Sequence, residues 1–478
     1  MRRLPGVLGV DVLLDGGLEP GSVVVLAGAP GTGKTILAQQ LCFASGTTDH
    51  HAVYYTTVSE PNSKLVRHIE QFDFFVPDAL EERVEYLHAG DLLRRGESGG
   101  VEAFFAEVIR KTIEEKPAVV VIDSAKALRD FIAERPLREA LYDLTSRLGQ
   151  TETVLVLVGE YAVDEVHDGV EFALADGIIH LEYEPREPVD RRWLRVVKMR
   201  GRAHWEGKHT FRVGAGGIEV FPRIENLDPG QPAEVTGRIG TGLARLDELM
   251  GGGLGSGEAT VVVGPSGVGK TIFGLRFVVE GLRKGERCLY VTFQDTPQQL
   301  IKMAAGFGWD LQEACERGQL SVRHVPLGDL DLDMLANGVR TELASGDIAR
   351  VVIDSLAEMA DAARETSRFP AFTRSLIGFI RAAGASLVIS SELTTLGPPR
   401  EPAGGIMFLF HNLIFMRYIE LESASGRALN VVKMRNSDHD KHIYQFEIGP
   451  TGMMIGERLE GVVGVLGWSA LQALGRLL

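Results

Sequence analysis

Gly28-Ala29-Pro30-Gly31-Thr32-Gly33-Lys34-Thr35 decides the reading of this chain, and a second copy follows at Gly264-Pro265-Ser266-Gly267-Val268-Gly269-Lys270-Thr271. Both obey G-x-x-x-x-G-K-[ST], in which glycines let consecutive backbone N–H groups turn inward around an anion. The lysine of such a loop reaches the β and γ phosphates of a nucleotide, and the closing threonine offers its hydroxyl to Mg²⁺. The predicted binding set is Gly28, Gly31, Thr32, Gly33, Lys34 and Thr35, and in the second copy Gly264, Ser266, Gly267, Val268, Gly269, Lys270 and Thr271.

The flanks agree with that reading in both copies. Ser22-Val23-Val24-Val25-Leu26-Ala27 and Ala259-Thr260-Val261-Val262-Val263 are β-branched runs, and Ile36 to Leu41 and Ile272 to Phe277 read as helices. Strand, loop and helix in this order place the phosphates at a helix N-terminus.

The two loops start 236 residues apart, and other landmarks keep nearly that spacing. Tyr55-Thr56-Thr57-Val58-Ser59-Glu60 matches Tyr290-Val291-Thr292-Phe293-Gln294-Asp295, and Val119-Val120-Val121-Ile122-Asp123-Ser124 matches Arg350-Val351-Val352-Ile353-Asp354-Ser355. A further strand in each half runs Val154 to Glu160 and Ser386 to Glu392, and Val-Val-Lys-Met-Arg recurs at Val196–Arg200 and Val431–Arg435. The chain is thus a duplicated α/β domain, each copy a mostly parallel sheet with helices on both faces and its ligand at the C-terminal ends of the strands. The expected boundaries are 1–225 for the first domain, 226–235 for a linker rich in turn residues, and 236–478 for the second domain with its C-terminal tail.

Bulk properties narrow the function classes. At 478 residues the chain has room for two cores, and a net charge of -15 argues against a surface that embraces nucleic acid. Cys42, Cys288 and Cys315 have neither disulfide nor zinc-site spacing, which fits a reducing, cytoplasmic setting. Met1-Arg2-Arg3-Leu4-Pro5 opens no secretory leader, and no uninterrupted apolar stretch predicts a membrane span.

Asp123 and Asp354 end apolar strands, where an ionised carboxylate is costly unless it meets a cation, so Thr35 with Asp123 and Thr271 with Asp354 form the expected Mg²⁺ sides. Glu60 and Asp295 are expected to end the strand next to the P-loop strand and to position an attacking water, with Lys34 and Lys270 as catalytic cations. A loop shift of one residue would instead leave either carboxylate on the ordinary surface. Lys198 with Arg200, and Lys433 with Arg435, alternate on a strand, so each pair shares a face. They are read as donors to the nucleotide of a neighbouring subunit, the alternative being a charged edge strand. His204 and His439 recur just beyond and read as hydrogen-bonding residues. Leu471, Leu474 and Leu478 have helical spacing in a tail that docks on its own domain or on a partner protein.

These residues resemble the KaiC family of ATPases, and the resemblance spans nearly all of the chain. Its carriers are the two P-loops, the two Lys-Met-Arg strands, Phe307-Gly308-Trp309-Asp310 and Glu457-Arg458-Leu459-Glu460-Gly461. It implies two tandem RecA-like P-loop NTPase domains, a homohexamer with ATP and Mg²⁺ at subunit interfaces, slow ATP hydrolysis and, in clock members, phosphorylation of a Ser-Thr pair in the second domain. Clock members carry adjacent glutamates where this chain has Ser59-Glu60 and Gln294-Asp295. Met407 and Phe408 fall at the phosphorylated pair, and no Ser, Thr or Tyr occurs from Leu396 to Arg417. The expectation is an ATP-hydrolysing ring that has lost self-phosphorylation at the family position, with Thr394 and Thr395 just outside the window. Alternatives are an ATP-dependent scaffold with little turnover, an autokinase with another acceptor, and a RecA-like ATPase acting on DNA.

Overall fold

Val23-Val24-Val25-Leu26-Ala27 is apolar at every position, as a strand covered on both faces requires, and it forms β1 (Val23–Gly28), buried along its whole length. The computed structural model describes residues 6–7, 9–57, 62–93, 100–162, 165, 169–185, 190–233, 237–363, 367–392, 405–421 and 424–460. The chain divides into two compact units, Met1–Asn226 and Leu227–Leu478.

In the first unit, β1 is followed by β2 (Ala52–Thr56), β3 (Val84–His88), β4 (Val119–Asp123), β5 (Val154–Glu160), β6 (Gly177–Glu184), β7 (Arg191–Met199), β8 (His209–Gly214) and β9 (Gly217–Phe221). They form one nine-stranded sheet in the order β3-β2-β4-β5-β1-β6-β7-β8-β9. Pairing is parallel from β3 through β6 and antiparallel from β6 to β9. Alternate residues of each parallel strand enter two different cores. Val24, Leu26, Tyr54, Val121 and Val156 pack on one face, and Val25, Ala27, Tyr55, Val120 and Leu157 on the other.

The second unit opens with a short antiparallel pair, β10 (Arg238–Ile239) and β11 (Leu254–Gly255). Its main sheet contains β12 (Ala259–Gly264), β13 (Arg287–Thr292), β14 (Leu320–His324), β15 (Ile348–Asp354), β16 (Ser386–Glu392), β17 (Asn412–Leu421), β18 (Ala424–Met434), β19 (Tyr444–Gly449) and β20 (Gly452–Arg458). The order β14-β13-β15-β16-β12-β17-β18-β19-β20 repeats that of the first sheet. The fold class is therefore the tandem, mostly parallel α/β architecture expected from the duplicated sequence.

One expectation about lateral order is overturned. The strands that lead to Glu60 and Asp295, β2 and β13, do not flank the P-loop strands; β4 and β5, or β15 and β16, lie between. The flanking strands β5 and β16 end in Glu160 and Glu392, in register with Gly28 and Gly264. Glu60, Thr394, Thr395 and the tail leucines 471, 474 and 478 lie outside the described residues. Among the described residues no helix is long and apolar enough to cross a membrane, and Cys42, Cys288 and Cys315 are free thiols.

Candidate nucleotide sites

Each P-loop leaves its strand and enters a helix, Lys34–Ser45 in the first unit and Lys270–Arg283 in the second. Gly28 and Gly31 carry the local geometry of the first loop. Gly28 has φ +153, and a Cβ there would lie 2.3 Å from the carbonyl oxygen of Leu181, so only glycine lets the loop leave the sheet at this point. At Gly31, with φ +74, a Cβ would meet nothing within 4 Å, so the loop borders open room.

The lysines fold back over that room. Lys34 Nζ donates to the Ala29 carbonyl at 2.8 Å, and Lys270 Nζ to the Gly264 and Pro265 carbonyls at 2.9 and 2.8 Å. Burial lowers the pKa of both ammonium groups, opposed by Glu160 and Asp123 in one site and by Glu392, Asp354 and Glu358 in the other. A cation drawn out of water, with carbonyl oxygens as its partners among the described residues, is a receptor for an anion.

Behind each lysine stands a hydroxyl–carboxylate pair. Thr35 Oγ1 donates to Asp123 Oδ2 at 2.9 Å, and Thr271 Oγ1 to Asp354 Oδ2 at 2.7 Å. Asp123 also accepts from the Tyr54 hydroxyl at 2.6 Å, and Asp354 from Tyr290 at 3.2 Å and from Ser390. Burial raises the pKa of Asp123, against the donors Tyr54 and Thr35 and the charge of Lys34. A hydroxyl and a carboxylate oxygen at this separation are hard donors that suit Mg²⁺, so these side chains fit the ion and the phosphates that the P-loop motif implies.

Asp295 is brought beside this set although its strand is not next to the P-loop strand. Burial and the charge of Asp354 raise its pKa, and His324 opposes them. Lys198 and Arg200 are not brought to the P-loop of their own unit. Lys198 pairs with Ile178 across β6 and β7, and its Nζ donates to Phe172 O at 3.1 Å. Arg200 reaches Ala173 O at 3.2 Å and Asp176, the residue whose carboxylate caps Val23 N at the start of β1. Five residues of strand, roughly 16 Å, separate that edge from Gly28. Lys433 and Arg435 repeat the arrangement by donating to Phe410 O, at 2.9 Å, and Phe408 O. His439 does not act as a hydrogen-bonding ring, because neither of its buried nitrogens has a partner among the described residues.

Two groups at the sites were missed from sequence. Glu160 and Glu392 end the strands beside the P-loops, and their common placement in the duplicated strands was a usable signal. Arg192, on β7, donates to the Gly31 carbonyl at 2.8 Å and lies 4.9 Å from the Tyr183 ring centroid. Arg427 similarly lies 5.6 Å from the Tyr418 ring, and the Tyr418 hydroxyl reaches Ser266 O at 3.4 Å.

The family model described as ATPase: KaiC matches residues 5–225 and again 239–460. The chain belongs to the KaiC ATPase family. Its likeness to the circadian clock oscillator protein KaiC of Parathermosynechococcus lividus is 26% identity, over 98% of this chain and 88% of the relative. Circadian clock protein KaiC3 of a Synechocystis strain is 27% identical over 96% and 93% of the two chains, and the KaiC of Thermostichus vulcanus is 25% identical over 98% and 91%. Both matched repeats carry the P-loop lysine, bonded to carbonyls of its own loop, together with a hydrogen-bonded pair of threonine and strand-end aspartate.

Proposed function

We propose that the protein is a Mg²⁺-dependent ATPase that binds ATP at both P-loops and hydrolyses it slowly, as a ring-forming conformational switch or timer. The observation that carries this reading is the twice-built set of lysine, threonine and aspartate, Lys34-Thr35-Asp123 and Lys270-Thr271-Asp354. Bound Mg²⁺ would neutralise phosphate charge from the side held by Thr35 and Asp123, or by Thr271 and Asp354. Lys34 and Lys270 bind the β and γ phosphates, and Glu60 and Asp295 are assigned to the attacking water. Lys198, Arg200, Lys433 and Arg435 serve the nucleotide of a neighbouring subunit in a homohexamer, a reading supported by their place at the sheet edge away from their own loops.

Self-phosphorylation at the family position is taken as lost. Met407 and Phe408 sit in a short 3-10 turn, Met407–Leu409, and neither has a hydroxyl to accept phosphate.

The deciding experiment is steady-state ATP hydrolysis by wild type, Lys34→Ala, Lys270→Ala and Glu60→Gln, with light scattering for assembly and intact mass after incubation with ATP. We expect Lys34→Ala and Glu60→Gln each to remove most turnover, Lys270→Ala to leave the first site working, and no phosphate to localise to residues 396–417. Unchanged turnover in Glu60→Gln defeats its assignment. Negligible turnover in wild type, with rings that assemble on a non-hydrolysable analogue, replaces the enzyme by an ATP-dependent scaffold.

A further inference from the structure

The second site holds a carboxylate at a position where the first unit has alanine. Glu358 lies on the helix Leu356–Ala362, which follows Asp354 almost directly. Its Oε1 accepts from the side-chain amide of Gln294, and its Oε2 from the hydroxyl of Ser355. The charge of Glu358 is felt at Lys270, where it opposes the effect of burial. In the first unit the corresponding stretch, Ser124-Ala125-Lys126-Ala127, has alanine at that position.

A Ser-x-x-Glu sequence at a helix start ordinarily forms a capping box, in which the glutamate returns to the backbone N–H of the capping residue. Glu358 departs from that pattern. One of its oxygens takes the serine hydroxyl, and the other crosses to an exposed amide that is 64 residues away in sequence, beyond the end of β13. With its N–H donor committed to a carboxylate, the Gln294 side chain is fixed in rotation. Its carbonyl Oε1 is left with no protein donor among the described residues and can accept from water.

We propose that Gln294, oriented by Glu358, holds the attacking water in the second site for the carboxylate of Asp295, and that Glu358 is a positioning residue rather than the base. The assignment rests on the reading of the second P-loop as an ATP-hydrolysing site. An amide carbonyl orients water but takes no proton. As the water oxygen bonds to the γ-phosphorus and the bond from that phosphorus to the ADP oxygen breaks, the Asp295 carboxylate takes the water's proton and returns it to a phosphate oxygen, giving ADP and inorganic phosphate. The pair is a neutral side chain and an anchor on another element that together aim the water at the γ-phosphorus.

The test compares two ligands in full-length wild type, Gln294→Ala, Glu358→Ala and the double variant: the ground-state analogue AMP-PNP, and ADP with aluminium fluoride, which mimics the transferring phosphoryl group with its water. Binding lost in Lys270→Ala reports the second site. Expected is AMP-PNP affinity within about twofold of wild type in all variants, and ADP–aluminium fluoride affinity about tenfold weaker in each single variant, the loss of one charge-assisted hydrogen bond. The double variant should be no weaker than the worse single, because the two residues act as one unit. Wild-type retention of ADP–aluminium fluoride by Glu358→Ala, equal loss of both ligands, or multiplying losses in the double variant overturns the assignment. Wild type that binds neither ligand at this site overturns the nucleotide reading itself, a distinct result.

Discussion

At the scale of single residues, the first site places Asp123 where burial works against its charge. Its donors, Thr35 and Tyr54, offset the desolvation only in part, since the pKa remains raised. A carboxyl with a raised folded pKa binds more protons in the native state than in the unfolded chain. The stability it contributes is present at low pH and is lost as pH rises from the ordinary carboxylate range through the folded pKa. Asp123→Asn has no such loss. Without nucleotide or metal, Asp123→Asn is expected to be more stable than wild type at pH 8 by about 1 kcal/mol, or about 2–4 °C in Tm. The advantage should shrink toward pH 4, while the variant loses the stabilisation that Mg²⁺ with ATP gives wild type. Calorimetry at the two pH values checks this, and an advantage that grows on acidification contradicts it.

At the scale of elements, the antiparallel extension beyond β6 does more than close the sheet. It turns β7 back so that Arg192 reaches the rim of the P-loop, with its guanidinium on the Tyr183 ring and its N–H on Gly31 O. Since this contact lies on the loop and not among Lys34, Thr35 and Asp123, Arg192→Ala should weaken ATP binding with little change in the chemical step. About 1 kcal/mol, a roughly fivefold rise in KM with kcat within about twofold, is the expected effect. Equal loss in kcat would move Arg192 into the reacting set. The contact also marks what the sequence made legible. The loops, the aspartates and the duplication were readable because each is a local pattern or a fixed spacing. The lateral order of parallel strands was not, because it depends on which way each crossover helix carries the chain, and so the place of Glu160 and Glu392 beside the P-loop strands emerges only from the sheet. Arg192 on Gly31 and Glu358 on Gln294 join residues 161 and 64 positions apart, with no spacing rule to announce them.

At the scale of the whole molecule, the cation pairs decide whether one chain is a complete enzyme. Lys198 and Arg200 are tied to carbonyls and to Asp176 at the start of β1, and Lys433 and Arg435 sit likewise at the start of β12. The phosphates belong at the far ends of those strands, so in the same unit the cations and the loop are held apart by the rigid sheet. If they serve a neighbour, catalytic competence belongs to the interface between two copies, and two inactive chains should complement each other. Lys34→Ala removes the loop's lysine, and Lys198→Ala with Arg200→Ala removes the donors while leaving that loop intact. Each variant alone should show little first-site turnover. Rings assembled from an equal mixture contain intact loops facing intact donors at random, so about a quarter of wild-type first-site turnover should return. Recovery in mixed rings, with none when preformed rings are mixed without subunit exchange, would establish donation between subunits. Full turnover by Lys198→Ala with Arg200→Ala alone would return the pair to the role of a charged strand edge.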